Sequence, residues 1–548
     1  MSAVAQAVQT PTIPWAAISP ELVLFGAGIL VLLLDTAGGN RRTSAAVAFV
    51  ALLGVAGLVV ATGEDVAAAV PVVIAAAAIL QLALALALSR RPRLLGAVLA
   101  VLGFAGCMLA AAWQWWAATD GSLVATETLL SGTVAVDGVA LFTRMTVCVA
   151  GIVTVLLGFS YLEDRRVHRG EYYPLLLLSA TGMTLLASAA DLLMVFIAVE
   201  ILSLALYVMS GFAKRDLASQ ESAFKYFLLG AFSSAFLLYG IALVYGAAGT
   251  TNIAAAGRAL AGFEVPAAFG IAAVGLLLVG LAFKVALVPF HMWTPDVYQG
   301  APTPVTGFMA AATKAAAFAA FLRVFADGLA ALQWTWVPAV GVLAAATMLA
   351  GAILAVVQDD LKRMLAYSSV AHAGYATMGL LALSQEGTAA TMFYLLAYAV
   401  MSLGAFGVLG VLERRQRKAI AVADLRGLGQ RAPLLAGMFA LFLLSLAGIP
   451  GTAGFMGKLA VVRAAVDADH IALPVVLVLS SVVAAFFYIR VIVAMFMEDE
   501  PAELADVPVP ASTGSAAGLS AAAAGVVVLG VVPPAVIDLA QRAATFAG

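Results

Sequence analysis

The sequence has 548 residues, of which 64% are hydrophobic and only 11% are charged, and its formal net charge is -2. A mean hydropathy of +1.07 lies far outside the range of soluble domains. Runs of roughly 20 apolar residues, the length of a membrane-spanning helix, recur along the chain without the alternation of a β-barrel strand. This composition excludes a sizeable soluble domain and nucleic acid as a partner, and it predicts an all-α integral membrane protein in a lipid bilayer.

The apolar runs predict about sixteen transmembrane helices, separated by short polar loops. In chain order they lie near 20–37, 43–62, 67–88, 94–117, 138–161, 172–189, 191–211, 219–246, 266–298, 304–326, 334–357, 361–383, 388–412, 433–463, 470–496 and 515–538.

The distribution of basic residues supports this assignment. When alternate loops are placed on opposite sides, eighteen Lys and Arg residues fall on one side and only Arg258 and Arg542 on the other. By the positive-inside rule the basic loops face the cytoplasm, and both termini lie outside. The loops 413–431 and 497–510 are expected to be solvated segments, the first basic and the second acidic.

Eight further basic residues lie within the apolar runs, where a charge is costly unless it faces a protein interior or a wet cavity. They are Arg144, Lys225, Lys284, Lys314, Arg323, Lys458, Arg463 and Arg490. An arginine stays protonated and cannot pass a proton on. Arg144 and Arg490 are therefore expected in structural pairs, and Arg323 and Arg463 are expected as anchors near helix ends.

The carboxylate of Glu200 lies about ten residues from either end of its helix, or roughly 15 Å deep at 1.5 Å per residue. Lys284 comes five residues before Pro289, which interrupts its apolar run. A broken helix at membrane depth can supply free backbone carbonyls to ions. Burial disfavours a charged lysine and a nearby carboxylate favours it, so such a pair can form a switchable proton site. The alternative for Glu200 is a purely structural ion pair.

Lys314 lies ten residues into the next helix, and Lys458 follows a second interruption, Ala447-Gly-Ile-Pro-Gly-Thr-Ala-Gly-Phe-Met-Gly-Lys. Two Pro/Gly-broken runs, each with a lysine, are the pattern of inverted repeats in secondary transporters. The sequence therefore predicts two five-helix units, 172–326 and 334–496.

Three further residues are weaker candidates for proton transfer. Lys225 can pair with Glu200, or its stem can reach the nearby cytoplasmic surface. His291 and His372 titrate near neutral pH and can bridge sites, or they can bond carbonyls freed at helix ends.

No cofactor site is expected in this chain. Cys107 and Cys148 lie in apolar runs without a neighbouring CxxC or histidine, so zinc or iron–sulfur ligation is not expected. Gly-rich phosphate loops are also absent, so the sequence offers no site for NADH, flavin or ATP.

Four motifs carry a resemblance to a known family. They are Val199-Glu-Ile-Leu-Ser-Leu, Lys225-Tyr-Phe-Leu-Leu-Gly-Ala-Phe-Ser-Ser, the stretch from Phe283-Lys-Val-Ala-Leu-Val-Pro-Phe-His to Val305, and Gly454-Phe-Met-Gly-Lys. From about Asp137 to Tyr488 the chain resembles the antiporter-like membrane subunits of bacterial NADH:quinone oxidoreductase, respiratory complex I. Its Asp296-Val-Tyr-Gln-Gly stretch is similar to the subunit N branch rather than the M and L branches.

The resemblance implies a 14-helix core with two inverted repeats and two broken helices. It implies proton translocation through Glu200, Lys284, Lys314 and Lys458, with Lys225 as an additional lysine. It also implies other complex I membrane subunits as partners in a bacterial plasma membrane. NADH, FMN, iron–sulfur clusters and quinone would be used in other subunits.

The expected organisation has N-terminal helices in 1–136, a first unit with its preceding helix in 137–330, a second unit in 331–496, and a linker with the last helix in 497–548. Two spans near 67–88 and 94–117 are extra relative to the family pattern. A multisubunit cation/proton antiporter subunit and a structural membrane scaffold stay open as alternative functions.

Overall fold

The computed structural model of the protein describes residues 17–36, 92–119, 128–129, 132–165, 167, 170–262, 267–416, 420–500 and 512–546. Helices dominate these ranges, and the one small sheet among them pairs β1 (Thr128–Leu129) with β2 (Val134–Ala135) in antiparallel register. Ten of the described helices are long and apolar enough to cross a membrane, and two shorter ones are also apolar.

The N-terminal helices and the first half of the chain follow one another closely along the sequence. They are α1 (Ser19–Thr36), α2 (Pro92–Thr119), α3 (Gly138–Asp164), α4 (Tyr172–Ala187), α5 (Leu192–Ser210), α6 (Leu217–Ala248), the short α7 (Ile253–Ala261), α8 (Ala267–Val285), α9 (Trp293–Gly300) and α10 (Thr303–Gly328).

The second half continues with the same spacing. Its helices are α11 (Gln333–Val356), α12 (Leu361–Leu381), α13 (Gln385–Gln416), the short α14 (Leu428–Arg431), α15 (Pro433–Ala447), α16 (Ala453–Asp467), α17 (Ala472–Met497), α18 (Thr513–Val531) and α19 (Pro534–Ala543).

The predicted all-α membrane architecture is confirmed. The predicted runs 43–62 and 67–88 lie outside the described residues, so the total of sixteen spans stays a prediction. One boundary was wrong: the predicted helix 515–538 ends at Val531 and a separate short helix follows. Pro533 lies between them and Pro534 begins the second. Proline lacks the amide donor that would continue the first helix.

Both predicted helix interruptions are present. Between α8 and α9 the backbone of Ala286 adopts a φ of 66°, a left-handed conformation that is unfavourable for a residue with a Cβ. Between α15 and α16, Gly448 and Gly451 adopt φ values of 91° and 85°. Glycine tolerates this conformation because it has no Cβ. Each predicted long run is therefore two shorter helices with free backbone groups between them.

Aspartates mark where four of the helices begin. Asp137, Asp191, Asp216 and Asp360 precede α3, α5, α6 and α12, and each side chain accepts a hydrogen bond from a backbone amide in the first turn. These amides have no partner within the helix, so an aspartate cap satisfies one of them.

The helices α10 and α13 form the centre of the bundle. The spanning window of α10 is completely buried and that of α13 nearly so. They pack against each other, and α3 packs on both. The alanine-rich face of α10 permits this close approach, because small side chains let helix backbones come near each other. Side chains on α10 therefore face protein on all sides.

Two buried arginine pairs join helices that are distant in the sequence. Arg144 on α3 bonds the Glu21 carboxylate on α1 at 2.8 Å and the Gln114 amide oxygen on α2 at 3.0 Å. This confirms the structural pairing expected for Arg144. Arg323 was expected as an anchor near a helix end, and that expectation was wrong. It is 3% exposed, binds both carboxylate oxygens of Asp137 and donates to the carbonyl of Ala187.

The other two arginines lie nearer the surface. Arg463 is an exposed side chain, as an anchor should be, at 3.9 Å from Asp467. Arg490 is partly exposed and donates to the carbonyls of Val356 and Gln358.

The Arg323 pair gives a first testable prediction. Arg323→Ala leaves the buried carboxylate of Asp137 without its arginine, and losing one partner of a buried pair costs about 3–5 kcal/mol. We expect a clearly lower thermal unfolding midpoint for this variant in detergent. The matched control Arg463→Ala removes a side chain that is 83% exposed and should leave the midpoint nearly unchanged. Equal midpoints for the two variants would contradict this role of Arg323.

Candidate functional site

Three of the lysines predicted from the sequence are buried inside the bundle. Lys284 and Lys314 are each 3% exposed and Lys458 is 7% exposed, so their ammonium groups do not reach the surface. Lys284 ends α8 at the first break, Lys314 lies in the middle of α10, and Lys458 lies on α16 after the second break. A buried ammonium needs polar partners from the protein, and each of the three has them.

Lys284 is linked to the helix that carries Glu200. Its Nζ donates to the Ser203 hydroxyl at 2.6 Å, and Ser203 in turn donates to the carbonyl of Val199. Glu200 and Lys284 do not form an ion pair within the described part of the chain, although the carboxylate acts electrostatically on the ammonium. Glu200 Oε1 is buried and has no hydrogen-bond partner among the described residues. The predicted pair is thus in a separated arrangement, with Ser203 holding the lysine.

Aromatic rings enclose the Lys284 ammonium. Its Nζ lies 5.8 Å from the ring centroids of both Tyr207 and Tyr226, within the range of a cation–π contact. Tyr226 stacks on Trp293 of α9 at 4.7 Å. The indole nitrogen of Trp293 donates to the carbonyl of Phe283 at 3.0 Å and so closes the break between α8 and α9. The ring cluster therefore connects Lys284 to the second half of its own broken helix.

Lys314 is held by the neighbouring helix α12. Its Nζ donates to the backbone carbonyl of Ser369 and lies 5.4 Å from the centroid of the Tyr398 ring. The hydroxyl of Thr313 is buried beside it without a hydrogen-bond partner in the described part of the chain, and the Ser369 hydroxyl lies within reach of the Tyr298 and Tyr398 hydroxyls. Short π-helical stretches flank Lys314 on both sides, and such distortions are frequent at functional sites.

His372 lies between Lys314 and Lys458. Both lysines act on it electrostatically, and its side chain is 3% exposed. Its Nδ1 lies 2.6 Å from the Tyr394 hydroxyl and its Nε2 lies 3.5 Å from the Tyr488 hydroxyl. His372 was predicted to bridge sites or to bond a carbonyl freed at a helix end. It lies in the middle of α12, where it also hydrogen-bonds the backbone of Leu446 near the end of α15.

Lys458 binds the backbone freed at the second break. Its Nζ donates to the carbonyl of Ala447 at 2.8 Å and to the Ser481 hydroxyl at 3.1 Å. It also lies 5.0 Å from the centroid of the Tyr375 ring. A Cβ on Gly448, at the break, would have three Lys458 atoms as its nearest neighbours, with Cδ at 2.9 Å. The glycine therefore leaves the space that the lysine side chain occupies.

Two predicted residues lie apart from this chain of groups. Lys225 forms ion pairs with Asp296 and Glu221, each at 2.6 Å, and it is 39% exposed. The suggested pairing of Lys225 with Glu200 is therefore wrong in this structure. His291 lies in the first break, half-buried, and its Nδ1 has no hydrogen-bond partner among the described residues.

Sequence reasoning missed a set of tyrosines around the lysines and His372. Tyr375, Tyr394, Tyr398 and Tyr488 are buried around His372. A tyrosine deep in an apolar run is itself a signal, because a buried hydroxyl needs a hydrogen-bond partner. The spacing of Tyr394 and Tyr398 puts both on one face of α13.

The described residues contain no group of three or more His, Cys, Asp or Glu side chains that could hold a metal ion. What the arrangement offers instead is a row of lysine, histidine and tyrosine groups that can bind and release protons. Their protein partners are hydroxyls and backbone carbonyls, which accept hydrogen bonds without fixing the proton on one group.

Comparisons with known proteins point in one direction. Residues 189–484 match the family model described as NADH:quinone oxidoreductase/Mrp antiporter, transmembrane. NADH-quinone oxidoreductase subunit N 1 of Herpetosiphon aurantiacus is 48% identical over 393 residues, which are 71% of this chain and 80% of that protein. The protein of the same name from Sorangium cellulosum is 49% identical over 420 residues, covering 74% of this chain and 82% of the relative.

Two solved structures share the fold. A chain of respiratory complex I from Thermus thermophilus, solved with bound aureothin, is 36% identical with a TM-score of 0.68 and covers 86% of this chain and 99% of that one. A chain of the Mrp complex from Dietzia has a TM-score of 0.69 at 23% identity, covering 85% and 95%. The second likeness concerns the fold alone.

The histidine environment gives a second prediction. Tyr394→Phe removes the hydroxyl that bonds His372 Nδ1 and keeps the ring, so a buried polar atom loses its partner at a cost of about 1–3 kcal/mol. We expect a lower thermal midpoint in detergent. Tyr245→Phe alters a tyrosine that is 57% exposed and serves as the control. A Tyr394→Phe midpoint no lower than that of the control would show that this hydrogen bond does not stabilise the bundle.

Proposed function

Since the chain belongs to the NADH-quinone oxidoreductase subunit N family, we propose that it is the membrane subunit that translocates protons in such a complex. The observation that carries this proposal is the buried row of Lys284, Lys314, His372 and Lys458, with both outer lysines at helix breaks. Buried ionisable groups inside a membrane bundle mark ion pathways.

In this proposal, the first step is a change in the distance between Glu200 and Lys284. A unit pair at about 4 Å with an effective dielectric near 20 interacts by roughly 4 kcal/mol. That energy changes proton binding by roughly a thousandfold. A close pair therefore keeps Lys284 charged, and separation favours release of its proton. Ser203 supports this step because it holds the lysine on the same helix face as the carboxylate, one turn away.

The released proton then moves toward the second half of the chain. The helix of Lys284 packs directly on the segment of α10 that begins with Lys314. From there His372 and its tyrosine partners lead to Lys458. A buried hydroxyl without a partner among the described residues, such as that of Thr313, favours bridging water between these groups. Lys225 and His291 would act upstream of Lys284, near the first break.

Quinone reduction in a neighbouring part of the complex would drive the change at Glu200. NADH, FMN, iron–sulfur clusters and quinone would then be bound by other subunits, and this chain would contribute proton transfer without a redox centre. The location would be a bacterial plasma membrane with the basic loops in the cytoplasm. The units 172–326 and 334–496 would be the two inverted repeats, each with one broken helix.

One alternative function has a specific observation in its favour. The matching family model names the Mrp antiporter beside the oxidoreductase, and the Dietzia Mrp chain shares the fold. The relatives at 48% and 49% identity are nevertheless named as oxidoreductase subunits. Sodium-dependent ΔpH formation without NADH would distinguish an antiporter from the proposed subunit.

The lysine at the first helix break gives the functional test. Lys284→Ala in the assembled complex should strongly lower both proton pumping and coupled NADH:quinone turnover, because the first proton acceptor is removed. The assay is dye-reported ΔpH in proteoliposomes with NADH and a quinone analogue. Lys214→Ala, a change in an exposed loop, is the control and should behave as wild type. Near wild-type pumping by Lys284→Ala would contradict the assignment, and normal pumping by Glu200→Gln together with Lys284→Ala would indicate a structural scaffold.

A further inference from the structure

The end of the bundle that carries the basic loops contains a buried ion pair outside the lysine row. Lys362 lies at the start of the predicted helix 361–383, and Glu413 begins a loop that the sequence predicts to be solvated, but each is only 5% exposed. Lys362 Nζ lies 3.5 Å from Glu413 Oε1. The carboxylate also accepts from the hydroxyls of Thr303 and Tyr161, the latter at 3.2 Å. A charged pair is costly to bury, so its position needs a physical account.

Lys362 also holds the end of the first broken helix. Its Nζ donates to the carbonyl of Ala301 at 2.7 Å, and Ala301 is the C-cap residue directly after α9. Thr303, which bonds Glu413, begins α10 two residues later. The pair thus lies where α9 and α10 meet the first turn of α12 and the last turn of α13.

The next residue, Arg363, provides a second connection to α9. Its Nη1 donates to the Asp296 carboxylate at 2.6 Å and to the Gln299 side-chain oxygen at 3.0 Å. Asp296 is bound from the other side by Lys225 of α6 at 2.6 Å. Two consecutive residues of α12 therefore hydrogen-bond to α9 and its C-cap at three points, Asp296, Gln299 and Ala301.

Helix α12, which binds α9 through Lys362 and Arg363, also carries residues at the centre of the lysine row. Ser369, whose carbonyl binds Lys314, comes seven residues after Lys362, or about 10 Å along the helix. His372 follows one turn later, and Tyr375, whose ring faces Lys458, one turn after that. A displacement of the first turn of α12 therefore shifts groups that contact Lys314 and Lys458, because an α-helix transmits axial movement as a rigid element.

We propose that Lys362, Arg363 and Glu413 are positioning residues that couple the first broken helix to the proton groups of the second half. This rests on the proposed function. Movement of α9 during the Glu200 and Lys284 step pulls on the first turn of α12 through Lys362 and Arg363. Glu413 fixes the Lys362 ammonium at the Ala301 carbonyl. The shift of α12 then changes the distances of the Ser369 carbonyl and the His372 ring to their lysines.

The test measures protons translocated per NADH oxidised in proteoliposomes containing the whole complex. The variant Lys362→Met with Glu413→Gln removes both charges together, so that neither is left buried without its partner. We expect this complex to assemble and to oxidise NADH while the proton-to-NADH ratio falls at least twofold. Lys362→Arg keeps a charged donor and should retain most of the wild-type ratio.

A matched control neutralises a buried pair that does not touch α9 or α12. Glu21→Gln with Arg144→Met removes the pair between α1 and α3 and should leave the ratio unchanged. If the double variant does not assemble, Arg363→Gln provides the test. It alters a side chain that is 29% exposed and should also lower the proton-to-NADH ratio. A wild-type ratio in the assembled Lys362→Met/Glu413→Gln complex, or in Arg363→Gln, would overturn the coupling role.

These outcomes separate the coupling role from the function on which it rests. If Lys284→Ala abolishes pumping and the Lys362→Met/Glu413→Gln complex pumps normally, only the coupling role fails. If the wild-type complex forms no ΔpH with NADH, the proposed function itself fails.

Discussion

The structure depends on one constraint, which is that an ammonium group buried in a lipid-embedded bundle must find its partners within the protein. The chain meets it with backbone carbonyls released at helix ends and breaks, namely Ala447 for Lys458 and Ala301 for Lys362. Aromatic rings and hydroxyls complete the surroundings of Lys284 and Lys314. Within the described part of the chain, the hydrogen-bond partners of Lys284, Lys314 and Lys458 are all neutral, an arrangement compatible with the proposed proton transfer.

The sequence could predict the lysine row because depth in an apolar run is a one-dimensional property. Lys284, Lys314 and Lys458 lie too far from the ends of their apolar runs to reach water, and Pro and Gly mark both breaks. Burial of Lys362 could not be predicted in this way. It lies beside a loop, and only the packing of α9, α10 and α13 around the start of α12 encloses it. Arg323 was misassigned for the same reason, since its partner Asp137 is 186 residues away.

The N-terminal helices show a related limit. The span near 94–117, which we expected to be extra to the family pattern, is helix α2, and it packs against both α1 and α3. Its Gln114 donates to the carbonyl of Ala17 and accepts from Arg144, so it is bonded to the helices on either side. Counting apolar runs shows how many spans precede Asp137 and does not show which of them pack against the bundle. These contacts make α2 part of the bundle, and its status as an addition to the family pattern stays a prediction.

The central claim is that this chain moves protons as part of an NADH-oxidising membrane complex. The most direct measurement is to affinity-purify the tagged chain from detergent-solubilised native membranes, reconstitute the eluate in liposomes, and follow NADH oxidation and ΔpH together. The account predicts inhibitor-sensitive NADH:quinone reductase activity that generates a proton gradient. An eluate that contains cation-antiport subunits, lacks reductase activity and forms ΔpH only with sodium would contradict it and assign the same buried lysines to an antiporter.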